Sequence, residues 1–306
     1  MNSKKKQMEE IAVLYYKKNY TQQEIANLMN LSRQTVSKLL NEAIEKNVVE
    51  IKIHNSEADC GEMEKKLCEI FKIKKAVVCG VDSTNDSIRQ LMTARKTKEY
   101  LLPIIKNGNQ KIAISWGRTV QSVIAEFSEE LTSDNIVFPL FGATDTEQSY
   151  YLSNELARSF ADRINATVKY AWFPYKPDNK DDCNLFRKTS YYKNIQEMWN
   201  NIDIAIVGIG NKETLEYFSK IFNSNHTSIV VGDISTHFFS LDGEIMNLYN
   251  NTLCASVDNL KKARQVVAIA CGDSKEEAII GALKTQIVDT FITDEYTAKK
   301  ILRNYK

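Results

Sequence analysis

The sequence predicts an α/β protein with two folded parts: an N-terminal winged helix-turn-helix at residues 1–54 and a doubly wound, mostly parallel α/β domain at residues 62–306. Three observations carry this prediction. Apolar side chains near the N-terminus recur at helical spacing, short apolar runs recur through the rest of the chain, and helix-length amphipathic stretches separate most of those runs. Residues 55–61 are the predicted linker between the two parts.

Three helices and a strand are expected in the N-terminal part. Residues 7–18 have an apolar face at helical spacing and predict the first helix. Thr21 and Glu24 have the spacing of a capping box, which starts the second helix, and Ser32 caps the third. Residues 49–53 alternate apolar and charged side chains, which predicts a wing strand. The side chains expected to face inward on the second and third helices are Ile25, Leu28, Met29, Val36, Leu39, Leu40 and Ala43.

The outward face of the third helix has the chemistry of a DNA reader. It carries hydroxyl, amide and cationic groups with no acid between Ser32 and Asn41, whereas an ordinary surface helix mixes Lys with Glu. Such groups can reach base edges and phosphates in a major groove. The predicted contact residues are Thr21, Gln22, Ser32, Arg33, Gln34, Thr35, Ser37 and Lys38. We therefore expect operator DNA as a partner, the plainer alternative being a solvated helix face.

Charge and cysteine content limit the remaining possibilities. The 306 residues carry a net charge of +1, but residues 1–55 hold nine Lys/Arg against six Asp/Glu, which leaves 31 against 33 for the rest. The larger domain is therefore expected to do something other than hold DNA. The chain has no apolar run of 18 residues and no signal-peptide pattern, so we expect a cytoplasmic protein without a membrane partner. Its six Cys form no Cys-x-x-Cys pair and its three His are scattered, so no metal, cofactor or disulfide framework is predicted.

Short apolar runs predict the strands of the larger domain. They lie at residues 76–79, 112–114, 136–140, 204–207, 228–231, 266–270 and 290–292. Several runs end in turns rich in glycine and hydroxyl residues. The carboxyl ends of strands in an open α/β sheet form its ligand crevice, where small residues let backbone N–H groups approach an anion and helix N-termini favour its charge. For any single turn, a tight bend or a helix cap is the better interpretation.

Taken together, the turns predict a site for a phosphorylated polar molecule. Gly208-x-Gly210 lacks the third glycine of a dinucleotide fingerprint, because Glu213 stands at that position, so NAD is excluded. The candidate residues of the site are Gly117, Arg118, Thr119, Gly142, Ala143, Thr144, Gly208, Gly210, Asp233, Gly272, Ser274 and Lys275.

Seven segments in a fixed order resemble one family. They are Thr21–Ala26, Leu31–Leu40, Trp116–Thr119, Ile206–Gly210, Gly232–Ile234 with Phe238–Glu244, Ala268–Ile279 and Ile292–Ala298. In this order and spacing the chain resembles a SorC-type (DeoR/SorC) bacterial transcriptional regulator over nearly its full length. The resemblance implies an effector domain related to sugar-phosphate isomerases and CoA transferases, which binds a phosphorylated sugar rather than converting it. It also implies a homo-oligomer, a dimer or a tetramer.

The resemblance also implies roles for individual residues. Gly117 to Thr119 and the loop Gly142 to Thr144 would cradle the ligand, Asp233 would accept hydrogen bonds from sugar hydroxyls, and Lys275 would pair with an anionic group. Four positions depart from the family pattern and leave the identity of the sugar open. Ala143 and Cys271 stand where the family usually has glycine. Tyr175 replaces the usual small residue between two prolines, and Ser240 replaces an aspartate.

The expected protein is thus a sugar-phosphate-responsive transcription factor, with a repressor favoured, and not an enzyme. Two alternatives stay open. An isomerase or deacylase would need a positioned general base, and it would leave the helix-turn-helix unexplained. A regulator that senses a protein partner would leave the pocket empty.

Overall fold

The computed structural model describes residues 2–18, 20–46, 48–49, 60–81, 83–128, 131, 134–144, 152–214, 216 and 229–304. The chain separates into two compact units, Met1–Asn55 and Ser56–Lys306. The wing-strand positions Ile51 and Ile53 and most of the predicted linker fall outside the described residues. None of the helices in the described part is long and apolar enough to cross a membrane.

The N-terminal unit contains the predicted three helices. Helix α1 spans Asn2–Ala12 and continues as a π-helical segment, Val13–Lys17; α2 spans Gln22–Leu28 and α3 spans Arg33–Glu45. The first helix therefore starts five residues earlier than its apolar face indicates. The caps are as predicted: Glu24 N–H donates to Thr21 Oγ1 (3.2 Å), Thr21 N–H donates to Glu24 Oε2 (2.7 Å), and Thr35 N–H donates to Ser32 Oγ (3.0 Å).

A small apolar core joins these helices. Its buried side chains are Met8, Ile11, Ala12, Ile25, Ala26, Val36, Leu39, Leu40 and Ala43. The prediction of Leu28 as an inward residue is wrong, because its side chain is 62% exposed. Leu28 is the last residue of α2, where the chain turns away, and Ala26 occupies the core instead.

The larger unit alternates strands and helices. Its helices are α4 (Gly61–Phe71), α5 (Asp86–Lys106), α6 (Arg118–Glu126), α7 (Ser153–Ile164), α8 (Lys180–Lys188), α9 (Ser190–Trp199), α10 (Val257–Lys262), α11 (Glu276–Lys284) and α12 (Glu295–Asn304). Its strands are β1 (Lys75–Cys79), β2 (Lys111–Ile114), β3 (Ile136–Pro139), β4 (Thr167–Val168), β5 (Ile204–Gly210), β6 (Val230–Ile234), β7 (His237–Ser240), β8 (Ile245–Met246), β9 (Gln265–Ile269) and β10 (Thr290–Asp294).

Seven of these strands form a parallel sheet in the order β1-β10-β9-β5-β2-β3-β4. Side chains alternate between its two faces, as strand geometry requires. On β5, Ile204 and Ile206 pack with α5, α6 and α7, whereas Ala205 and Val207 pack into a second core with α4, α9, α11 and α12. Helices thus cover both faces of the sheet. The prediction of a doubly wound, mostly parallel α/β domain is confirmed.

The remaining three strands differ from the sequence prediction. The run at residues 228–231 was expected to add a strand to the parallel set. The observed β6 instead runs antiparallel to the end of β5 and leads through a two-residue turn into β7 and then β8. Asp233 therefore lies within a strand rather than after one. The short strands β4, β7 and β8 were not predicted.

Candidate functional site

The candidate site lies where the direction of strand order reverses. From β2 the chain adds β3 and β4 on one side, and it returns through β5 to add β9 and β10 on the other. The carboxyl ends of β2, β5 and β9 are therefore neighbours at the switch point, which is where open α/β sheets bind ligands. The turns that follow β2 and β9 contain Gly117 and Gly272, and Gly210 is the last residue of β5.

Gly117 and Gly272 share an unusual backbone. Their φ angles are +104° and +114°, and their ψ angles are 164° and 152°, a conformation that side chains disfavour. A Cβ built on either glycine meets no atom within 4 Å. The glycines are thus required by backbone conformation, and the space in front of both turns is open. Gly117 is also the N-cap residue of α6, whose first residues are Arg118 and Thr119.

Lys275 and Asp233 approach each other across the end of β5. The Lys275 ammonium donates to the carbonyl oxygen of Ile209 at 2.9 Å. Burial lowers the pKa of Lys275, and the negative charges of Asp233 and Glu213 oppose that shift. Two ammonium hydrogens remain for other partners, since an ammonium group has three donors.

Asp233 is a buried carboxylate with one oxygen unused. Its side chain is 2% exposed, and Oδ2 accepts the Thr236 N–H at 3.0 Å. Oδ1 has no hydrogen-bond partner among the described residues. Burial raises the pKa of Asp233 to about 6, against the opposing effects of the Thr236 N–H and the Lys275 charge. An unpaired buried acceptor is costly, which makes Oδ1 a natural acceptor for a ligand hydroxyl.

A tight turn between β6 and β7 holds this carboxylate. Ser235 and Thr236 both adopt positive φ, 47° and 71°, between the paired residues Ile234 and His237. Two-residue turns of this kind favour Asn and Gly, and a β-branched residue there is strained. In this conformation the Thr236 N–H donates to the carboxylate of Asp233. Backbone strain of this kind is often found at functional sites.

Polar side chains surround Lys275. Asn211 Nδ2 donates to Ser274 Oγ at 3.0 Å. The guanidinium of Arg118 lies 3.7 Å from Glu213 Oε2, and both of these side chains are largely exposed. The loops after β2, β5 and β9 therefore meet here, bringing together most of the predicted effector residues.

Other predicted effector residues have structural roles. The N–H groups of Gly142 and Ala143 donate to the carbonyls of Leu253 (3.0 Å) and Phe173 (2.8 Å), so neither is free for a phosphate. A Cβ on Gly142 would lie 2.6 Å from the Phe173 oxygen, so close backbone packing explains this glycine. The Gly272 N–H likewise donates to Thr297 Oγ1 at 3.1 Å. The N–H groups of Gly142, Ala143 and Gly272 are therefore already hydrogen-bonded within the protein, and the part of these residues in holding the effector stays a prediction. Thr144 Oγ1 is buried and has no partner within the described part of the chain.

Sequence reasoning did not identify a cavity of about 370 Å³ next to the strained turn. Tyr175, one of the four departures from the family pattern, is buried with its ring edge-on to Phe141 at 5.5 Å between centroids, and it lines this cavity. Thr236, His237 and Tyr249 also line it. Most of its lining residues lie between Thr236 and Asp258, and Tyr175 and Arg187 join them from earlier in the chain. Among the described residues, no group of three or more His, Cys, Asp or Glu could hold a metal ion.

The N-terminal unit presents the predicted DNA-contacting face. Arg33, Gln34, Thr35 and Lys38 are exposed on the first two turns of α3, and Ser37 is half-buried. At the ends of the helices, Thr21 and Ser32 are the caps and Gln22 is the half-buried first residue of α2. A helix-turn-helix with such a face, joined to an α/β domain with a polar crevice, defines a ligand-responsive DNA-binding protein.

Comparisons with known proteins identify the family. Residues 56–303 match the family described as "Putative sugar-binding domain", and residues 6–46 match sigma-70 region 4. The chain is 29% identical over 304 residues to the sorbitol operon regulator of Klebsiella pneumoniae, covering 96% of both proteins. It is 27% identical to the deoxyribonucleoside regulator of Bacillus subtilis, covering 99% of this chain and 100% of that protein.

Solved structures agree with these matches. The crystal structure of full-length SorC from Klebsiella pneumoniae has a TM-score of 0.78 at 27% identity, covering 97% of this chain and 98% of that one. A DeoR family transcriptional regulator from Listeria monocytogenes has a TM-score of 0.70 at 25% identity, covering 81% and 100%. The chain belongs to the sugar-binding domain family, and the predicted SorC-type transcriptional regulator is confirmed.

Proposed function

We propose that this transcriptional regulator of sugar metabolism binds operator DNA through α3 and responds to a phosphorylated sugar held at the ends of β2, β5 and β9. In this proposal residues 1–54 bind DNA, residues 55–61 are a linker, and residues 62–306 bind the effector and mediate oligomerisation. The proposal is carried by Oδ1 of buried Asp233, which lies near the ammonium of Lys275 and has no hydrogen-bond partner in the part of the chain that the structure describes.

The two ends of a sugar phosphate match the two sides of this site. The phosphate would take the remaining donors of Lys275, the N-terminus of α6 and the exposed guanidinium of Arg118. The sugar hydroxyls would donate to Oδ1 of Asp233. A ligand with both groups would give Asp233 Oδ1 a donor and the Lys275 ammonium an anionic partner. A neutral sugar would supply only the donor.

Regulation would follow from differential binding. A single helix-turn-helix contacts few bases, so we expect a cytoplasmic homo-oligomer, a dimer or a tetramer, whose paired α3 helices meet two operator half-sites. The effector favours one arrangement of these pairs and the operator another. A repressor released by its effector fits this scheme.

A thermal-shift screen of the full chain tests the proposal. The panel pairs each sugar with its phosphate and includes sorbitol 6-phosphate and deoxyribose 5-phosphate, because two relatives are named for sorbitol and deoxyribonucleosides. We expect one sugar phosphate to raise the melting temperature far more than its unphosphorylated partner or inorganic phosphate. Lys275→Ala should abolish that shift, and Lys212→Ala, which removes a nearby ammonium paired with Glu277, should preserve it. No shift with any phosphate, or conversion of the sugar phosphate to product, would contradict the proposal.

A further inference from the structure

We propose that Arg89 and Gln90, consecutive residues near the start of α5, are positioning residues. They fix the relative positions of the two turns of the effector site that contain Gly117 and Gly272. This inference rests on the proposed function for its ligand, but the contacts that carry it are independent of any ligand. Arg89 contacts the turn after β9, and Gln90 contacts the start of α6, directly after the turn that follows β2.

Arg89 is fully buried and directed at the turn after β9. Its Nη2 donates to Asp273 Oδ1 at 3.0 Å, within the sequence Gly272–Lys275, and to Asp86 on its own helix. Its Nη1 donates to the carbonyl of Ser83 at 3.2 Å, and its Nε lies 3.8 Å from buried Asp294. Arg89 thus ties the start of α5 to the side chain of Asp273.

The same turn is held at two further atoms. Lys300 Nζ donates to the Asp273 carbonyl at 2.9 Å. Thr297 Oγ1 accepts the Gly272 N–H at 3.1 Å, and Thr297 is itself oriented by Asp294, which accepts its hydroxyl (2.6 Å) and its N–H (3.0 Å). Asp294 therefore lies near the guanidinium of Arg89 and also supports the Gly272 contact, so the turn and α5 belong to one network.

Gln90 makes the corresponding contact on the other side. Its Nε2 donates to Ser122 Oγ at 2.8 Å and to the Arg118 carbonyl at 3.4 Å. Ser122 Oγ donates to the same carbonyl at 2.9 Å. Gln90 thus fixes the first turn of α6, which begins at Gly117. Adjacent residues on one rigid helix therefore set the positions of both turns.

Stability alone explains Arg89 poorly. A buried guanidinium with three carboxylates around it loses much of its Coulomb energy to desolvation, and apolar residues of similar size often stabilise as well or better. The gain from such a network is orientation, because binding groups must be held close to their productive geometry by surrounding hydrogen bonds. Arg89 fits this role, since its contact with Asp273 joins parts of the chain 184 residues apart.

Hydrogen exchange on the ligand-free full chain, together with calorimetric titration of inorganic phosphate, tests the proposal. Arg89→Lys keeps the charge but loses the forked geometry, and Gln90→Leu keeps the size but loses the amide. We expect faster exchange at residues 272–275 in the first variant and at residues 117–122 in the second. Each loss should weaken phosphate binding roughly three- to tenfold, the value of one hydrogen bond.

Arg95→Gln is the matched control. Arg95 is also on α5, but it pairs with Glu126 at the carboxyl end of α6 (3.1 Å), away from both turns, so its loss should change neither readout. If Arg89→Lys does not fold, Asp273→Ala removes the same contact from the turn side, where the carboxylate is 54% exposed. Unchanged exchange at both turns, or faster exchange without loss of phosphate affinity, overturns the proposal. If the wild type binds neither phosphate nor any sugar phosphate while the turns still loosen in the variants, the proposed function fails instead.

Discussion

Gly210 and Asp233 lie opposite each other where β5 and β6 pair, and the carboxylate of Asp233 occupies the space that a side chain at Gly210 would need. A Cβ on Gly210 would lie 1.9 Å from Asp233 Oδ1 and 3.0 Å from Thr214 Cβ. Gly208, two residues earlier on the same strand, has room, because its nearest contact would be Val120 Cγ2 at 3.7 Å. The glycine at 210 is thus a condition for the position of the carboxylate.

This relationship predicts opposite outcomes for two alanine substitutions. Gly210→Ala must displace Asp233 and should cost about 1 to 3 kcal/mol of stability, the usual result of overpacking. It should also abolish the thermal shift given by the sugar phosphate. Gly208→Ala should leave the stability nearly unchanged. Chemical denaturation and ligand titration of the two variants check this. Equal losses of stability would contradict the close contact between Gly210 and Asp233.

Asp233 should make stability depend on pH. Because its folded pKa of about 6 lies above the ordinary value of 3.8, the folded state binds the proton more tightly. The resulting stabilisation is complete below the unfolded pKa and is lost as the pH rises through 6. The free energy of unfolding of Asp233→Asn, relative to that of the wild type, should therefore rise by about 3 kcal/mol between about pH 4 and pH 7.

Urea unfolding at a series of pH values measures this difference. Asp242→Asn, which removes an exposed carboxylate, is the control. A constant difference between Asp233→Asn and the wild type across the range would show that Asp233 is not desolvated in the folded protein.

The exposed face of α3 predicts two kinds of DNA-binding defect. Arg33→Ala or Gln34→Ala should cost about 1 to 3 kcal/mol of operator affinity and relax specificity if either side chain makes a bidentate base contact. Lys38→Ala should weaken all sequences alike and reduce the salt dependence by roughly one unit if Lys38 meets a phosphate. Lys46→Ala, near the carboxyl end of α3 and paired with Glu42 at 3.0 Å, is the control. Fluorescence anisotropy against specific and random duplexes checks these effects, and affinities equal to that of Lys46→Ala would refute the assignment.

Local patterns were sufficient for much of the fold. The caps at Thr21 and Ser32 and the apolar run that becomes β5 are set by neighbouring residues, so the local sequence reveals them. The antiparallel pairing of β6 with β7 was missed because their turn, Ser235-Thr236, lacks the Asn or Gly that normally marks such hairpins. Leu28 fits a helical stripe but lies at a helix end, where periodicity no longer predicts burial.

The candidate site was predictable only in part. Glycine-bearing turns after apolar runs indicated Gly117, Gly272 and Lys275, but sequence cannot tell an open glycine from a packed one. Gly142 is a packed glycine, because a side chain there would collide with the backbone at Phe173. The contact of Arg89 with Asp273 leaves no local signal, because it depends on how distant strands are ordered in the sheet.

The central claim is that a sugar phosphate at Asp233 and Lys275 controls DNA binding. Its most direct test is an anisotropy titration of an operator selected from random DNA with the purified protein, with and without the sugar phosphate found by thermal shift. We predict that the ligand changes wild-type affinity, whereas Lys275→Ala and Asp233→Ala bind the operator as the unliganded wild type does and no longer respond. This separation is required of residues that contact only the ligand. An effector response in both variants equal to that of the wild type would contradict the claim.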